Sequence, residues 1–194
     1  PIVVVCIMGA FLITTYINKR LHLPRKLGAL IAVGTSICGV TAIIATGPAI
    51  DADEEESAYA VAVITIFGLF ATIFYPYLAN YLFANQALKA GLFLGTAVHE
   101  TAQVVGAAKI YADIFSQSVA LDVATVAKLV RNVFIVLVIP IMAFRYTDQD
   151  ADNVHDFSGK HRILKLLPLF ILGFLGMAVL RSVGDAGAQN GGLA

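Results

Sequence analysis

An all-α bundle of membrane-crossing helices is the fold class that this sequence predicts, and two observations carry the prediction. Hydrophobic residues make up 59% of the 194 residues and charged residues only 13%, about half the charged share of a soluble domain. The charges also fall in short clusters between long uncharged windows, as a hydrocarbon layer about 30 Å thick requires. The mean hydropathy of +0.83 agrees.

The windows give six expected spans in order: 1–18, 27–50, 58–82, 89–112, 123–144 and 163–180. The first is followed by the basic loop Lys19–Lys26. The second is rich in Gly, Ala, Ser and Thr, which suits close helix packing, and Gly47-Pro48 marks its end. An acidic stretch, Asp51–Glu56, then leads into the third span, where carboxylates suit a helix start. Pro76 is expected to bend the end of that span. Read as five successive crossings, Lys19–Lys26 and Arg145–Lys165 lie on one side, consistent with a cytoplasmic excess of basic residues. The same count puts the acidic stretch and the 111–121 turn on the opposite side. Trp is absent, so interfacial aromatics fall to Tyr75, Tyr77, Tyr81, Tyr111 and Tyr146.

Position 1 is Pro, and the chain opens inside an apolar stretch without the basic region of a signal peptide. Further helices are expected upstream, making this a fragment of a larger carrier with one partial transmembrane domain. Net charge is zero, so no bulk electrostatic attraction favours nucleic acid. Cys6 and Cys38 both sit in apolar stretches and read as free thiols.

Two segments share a pattern. Gly34-Thr35-Ser36-Ile37-Cys38-Gly39 can be laid on Gly95-Thr96-Ala97-Val98-His99-Glu100, each a Gly-Thr followed by a polar or small middle. Secondary transporters build sites from helices broken at corresponding points of a repeat, so Thr35, Ser36, Cys38 and Gly39 are candidate site residues. Gly and Thr are also common in packed membrane helices, which is the structural alternative. With one span between them, the two segments are expected to run parallel; an inverted pair requires a re-entrant hairpin or another helix count.

His99-Glu100 carries more information. Placing an ionisable residue in a membrane costs about 2.5–3.5 kcal/mol on insertion scales, and such residues usually face a cavity or a partner. Histidine changes charge near neutral pH, so the pair is a candidate proton relay, with Gln103 one turn on to orient a ligand. The alternative is a hydrogen-bonded pair joining helices. His99-Glu100-Thr101-Ala102-Gln103 nearly matches the His-Glu-x-x-His zinc motif, but Gln103 stands where the second His would be. Neither a metal nor a cofactor is expected, nor an enzyme. Lys128 and Arg131, three residues apart on one helix face, are read either as snorkelling to the interface or as a cationic lining for an anion.

The blocks Gly34–Gly39, Ala58–Val63 and Phe74-Tyr75-Pro76, then Gly91–Val105, then Lys128-Leu129-Val130-Arg131, resemble the sulfate exporter family of bacterial membrane proteins, the UPF0324 group. The likeness runs through roughly 28–180. It implies a multi-pass carrier of ten or eleven helices in the plasma membrane of a bacterium or archaeon. It also implies broken core helices of the kind found in sodium/proton antiporters and bile-acid symporters. The expected activity is secondary transport of a small anion, sulfate or a sulfonate, with a proton as coupling ion. The alternatives are an anion channel or a non-transporting membrane scaffold. The bilayer and the anion are the expected partners; a homo-oligomer is compatible with the sequence.

Overall fold

The computed structural model describes residues 2–83, 86–147 and 177. The span expected at 163–180 and the 148–162 loop lie outside the described residues. Through residue 147 every described regular element is a helix: α1 (Ile2–Arg20), α2 (Arg25–Ser36), α3 (Val40–Thr46) with a 3-10 turn at Gly47–Ala49, α4 (Glu54–Phe83), α5 (Ala87–Ala97), α6 (Thr101–Phe115), α7 (Val119–Val133) and α8 (Ile135–Thr147).

Three segments are long and apolar enough to cross a membrane: Ile2–Arg20, Glu54–Phe83 and the α7–α8 run Val119–Tyr146. Their outer faces stay uncovered, with Val5 70% and Phe67 67% exposed. Apolar surface of that extent suits lipid rather than water. α4 is the central strut. Glu54, Glu55 and Glu56 occupy its first turn, where the dipole favours carboxylates. It continues past Pro76 to Phe83, so the proline lies within the helix.

The spans expected at 27–50 and 89–112 are each two short helices that double back. In the first, a Cβ built on Gly34 would come within 2.8 Å of the side chain of Ile43, which lies on the far side of the break. Lys26 Nζ donates to Asp51 O at 2.6 Å, tying the start of α2 to the residue beyond α3. A straight helix would hold Gly34 and Ile43 roughly 13 Å apart at 1.5 Å per residue. In the second, α5 returns along the C-terminal half of α4, with the Phe93 ring 5.6 Å from Tyr75 and 5.8 Å from Phe83. α6 then runs back beside α4: Gln103 Nε2 reaches Thr65 O at 3.2 Å, and Phe115 stacks edge-on to Tyr77 at 6.3 Å. Leu94 and Val104, and Ala90 and Ala108, share one buried cluster across this hairpin.

The ends of α2–α3 therefore lie by the N-terminus of α4, and the ends of α5–α6 by its C-terminus. The two tips approach each other beside Ile64, which lies 3.3 Å from a Cβ built on Gly39. Each of these segments was expected as one crossing broken near its middle; the helix pairs double back at the break instead, a difference of direction that hydropathy windows do not register because they sum apolarity. Tyr111, one of the tyrosines named for an interfacial belt, is fully buried within the α5–α6 cluster.

Close backbone approach sets the α5–α7 contact. A Cβ on Gly91 would sit 2.6 Å from Ala120 O, and one on Gly95 2.5 Å from Ala124 O. This is the small-residue packing that membrane helices use in place of hydrophobic driving force. Gly9, by contrast, has nothing within 4 Å. Gly95→Val should lower the melting temperature of detergent-solubilised protein by several degrees, an overpacking cost of about 1–3 kcal/mol, while Gly9→Val should leave it unchanged. Equal melting curves for the two variants would contradict the contact.

Candidate functional site

Ending a helix in an apolar interior leaves up to four carbonyls without partners. α2 and α5 both end this way, at the same place. Their last carbonyls find donors on α7. Lys128 Nζ donates to Ile37 O at 2.9 Å, to Val98 O at 3.5 Å and to His99 O. Arg131 donates through Nε to Ser36 O at 2.8 Å, through Nη1 to Thr96 O at 2.6 Å, and through Nη2 to Thr35 O. Two cations thus take three carbonyls from each half-helix end. The negative end of each helix dipole adds to the attraction.

Both cations are fully buried, Lys128 at 0% and Arg131 at 1% exposure. Snorkelling to an interface is therefore excluded. They lie on α7 well inside the 119–146 segment rather than at its rim. The ammonium has three hydrogens and three acceptors, so Lys128 is saturated by backbone; the guanidinium has five N–H and uses three. This changes the expected role of the pair. They hold the hairpins together first, and only the remaining Arg131 hydrogens are available to a ligand.

The positive half-helix ends meet at the same point. Gly39 precedes α3 with φ +70°, a conformation that only glycine adopts without strain. A Cβ there would stand 2.9 Å from Glu100 Oε2 and 3.4 Å from the His99 carbonyl carbon. Glu100, immediately before α6, accepts from Val40 N at 3.2 Å. Its carboxylate therefore caps the start of the opposite hairpin's return helix. The second break needs no glycine because Val98 and Glu100 are extended. Hydroxyls of Ser36 and Thr96 bond back to Ala32 O at 2.5 Å and Leu92 O at 2.8 Å, a local competition that weakens the helix just before each break.

Of the residues predicted from sequence, the structure brings Thr35, Ser36, Cys38, Gly39, His99, Glu100, Lys128 and Arg131 to one locus. Thr35 and Ser36 contribute backbone carbonyls. Cys38 is buried and free, whereas Cys6 is half-buried on α1. Gln103 points elsewhere, against Thr65 and Gly68 of α4. Sequence reasoning missed Asn132, whose Nδ2 donates to Thr101 Oγ1 at 3.3 Å. It lies one turn after Lys128, and that spacing in an apolar run was the available signal. At the locus, the buried atoms His99 Nδ1 and Asn132 Oδ1 have no hydrogen-bond partner, which leaves capacity for a ligand or water.

Arg131→Ala should strand the Thr35, Ser36 and Thr96 carbonyls. At about 1–3 kcal/mol per orphaned group, loss of monodisperse protein on detergent extraction is expected, with partial retention in Arg131→Lys. An Arg131→Ala protein with unchanged yield and melting would contradict the capping role.

A family profile described as conserved hypothetical protein 698 matches residues 1–189. A UPF0324 membrane protein of Fusobacterium nucleatum is 36% identical over 185 residues, covering 94% of this chain and 51% of that protein. One from Streptococcus pneumoniae serotype 4 is 35% identical over 176 residues, covering 90% and 50%. One from Nitratidesulfovibrio vulgaris is 30% identical over 182 residues, covering 94% and 50%. The chain spans about half the length of these curated relatives. No solved structure matches it. With a match over nearly the whole chain and apolar helices of membrane-crossing length, this chain belongs to the conserved hypothetical protein 698 family, and its relatives are UPF0324 membrane proteins.

Proposed function

We propose that the chain is the core of a secondary transporter for a small anion, working by alternating access as a multi-pass protein of the bacterial or archaeal plasma membrane. The observation that carries this reading is the meeting of two folded-back helix pairs at one buried polar point. Carriers place substrate where broken helices of a repeat face each other. The pairing of Gly34–Gly39 with Gly95–Glu100 puts the two breaks, Ile37–Gly39 and Val98–Glu100, in register. With α1, α4 and α7–α8 crossing the bilayer, α2–α3 enters from one membrane face and α5–α6 from the other, making an inverted pair. This arrangement puts Lys19–Lys26, the acidic Asp51–Glu56 stretch and Arg145 on one side. The basic residues make that side cytoplasmic, and Tyr146 Oη donating to Arg25 O at 3.1 Å is consistent with the grouping.

Charge favours an anion. Lys128 and Arg131 against Glu100 leave one formal positive charge, and two negative helix ends offset two positive ones. The unused Arg131 hydrogens and the first-turn N–H groups of α6 are donors for an oxyanion. His99 and Glu100 are the groups that can take up and release a proton. Sulfate or a sulfonate as substrate comes from the family resemblance, and relation to sodium/proton antiporters and bile-acid symporters is part of the same proposal.

The test is labelled sulfate uptake by the full-length protein in proteoliposomes, with and without an imposed pH gradient. Saturable, gradient-driven uptake that falls at least tenfold in Glu100→Gln, with normal insertion, is the expected result. Unsaturable flux would favour a channel. Absence of uptake of sulfate and of small sulfonates by intact protein would contradict the reading.

A further inference from the structure

Three backbone carbonyls converge on one point at the junction of the hairpins. Ile37 O comes from the break after α2, and Val98 O and His99 O from the break after α5. Carbonyl oxygens of unwound segments and half-helix C-termini are the ligands with which carriers hold a coupling sodium ion, and carbonyl groups likewise replace the hydration shell of an alkali cation in channels. Here the point is filled from within the chain. The Lys128 ammonium, a compact monovalent cation on a flexible stem, has its nitrogen at that point and is 0% exposed. Arg131 does not compete for it, because its guanidinium is engaged by Thr35, Ser36 and Thr96.

We propose that the tethered ammonium of Lys128 occupies a built alkali-cation site formed by the Ile37, Val98 and His99 carbonyls. The protein therefore needs no sodium to join its two hairpins. A carrier with a diffusible ion at this point would assemble the junction only when the ion binds, and would couple transport to the ion's gradient. A covalently attached cation makes the junction permanent and removes that coupling. The consequence for coupling rests on the transporter reading above; the occupancy of the site does not.

The structure also names the substitution that would convert the site. Removing the side chain leaves the three carbonyls converging on a space from which one cation has gone. A small monovalent ion is the chemistry that fits there.

The test is a stability measurement on the full-length protein in detergent, compared in sodium chloride, potassium chloride and choline chloride at equal ionic strength. For the unaltered protein, the same melting temperature in all three salts is expected. Lys128→Ala should be recovered poorly in choline chloride and should regain monodispersity with sodium chloride, with a saturable rise of melting temperature. A ligand at 100 times its dissociation constant would raise it by about 3–5 °C. Lys128→Met, which fills part of the space with an apolar chain, should not respond. Sodium-dependent melting of the unaltered protein would overturn the proposal. So would Lys128→Ala protein that fails to be recovered in every salt, or that is recovered equally in sodium and choline. None of these readouts requires an anion to be transported, so failure of the substrate assignment is seen separately, in the uptake assay.

Discussion

The fold depends on one constraint: backbone carbonyls that end a helix in an apolar interior must find a donor. Hydrocarbon offers none, so a broken helix there is tolerated only where protein supplies the missing partner. α2 and α5 both stop short, and both deliver their orphan carbonyls to the same face of α7. Lys128 and Arg131 answer six of them. Their own charges are costly to bury, and the helix ends offset that cost. Cations and carbonyls are each unfavourable in this setting alone. Together they make a junction that joins two hairpins from opposite ends of α4.

This arrangement also explains the glycines and the small residues. α7 must lie close to α5 for its cations to reach the breaks, and Gly91 and Gly95 allow that approach against Ala120 and Ala124. Gly39 lets the first tip come against Glu100, whose carboxylate then meets Val40 N–H. The positive and negative half-helix ends are each matched by an opposite charge from another element. Such a centre is polar and nearly balanced in charge, and the six hydrogen bonds from Lys128 and Arg131 hold both hairpins to α7.

Much of the site was legible in the sequence. The alignment of Gly34–Gly39 on Gly95–Glu100 places both breaks at corresponding residues, and His99, Glu100, Lys128 and Arg131 stand out because ionisable groups in apolar runs need partners. What the pattern could not convey was direction. A window of about 24 apolar residues reads the same whether the chain runs straight through or turns back at Gly39, since hydropathy sums residues without regard to their path. The roles of Lys128 and Arg131 were hidden for a related reason. Their partners are backbone carbonyls, which every residue carries and no side-chain motif reveals. Gln103 was placed at the site by one-turn spacing from His99, but the helix begins only at Thr101, so that spacing does not hold and the amide turns to Thr65.

In the proposed topology, residues 25–50 and 87–115 are two hairpins that enter the membrane from opposite sides. Labelling single cysteines with a membrane-impermeant maleimide, in intact cells and in inverted vesicles, distinguishes this from two straight crossings. The substitutions Lys19→Cys, Asp53→Cys, Gln86→Cys and Ser118→Cys, each in an otherwise cysteine-free full-length protein, place one probe beside each end of the two segments. Positions 19 and 53 should label from one side and positions 86 and 118 from the other. Labelling of 19 and 53 from opposite sides, or of 86 and 118 from opposite sides, would mean that the corresponding segment passes straight through the membrane, and would contradict that topology.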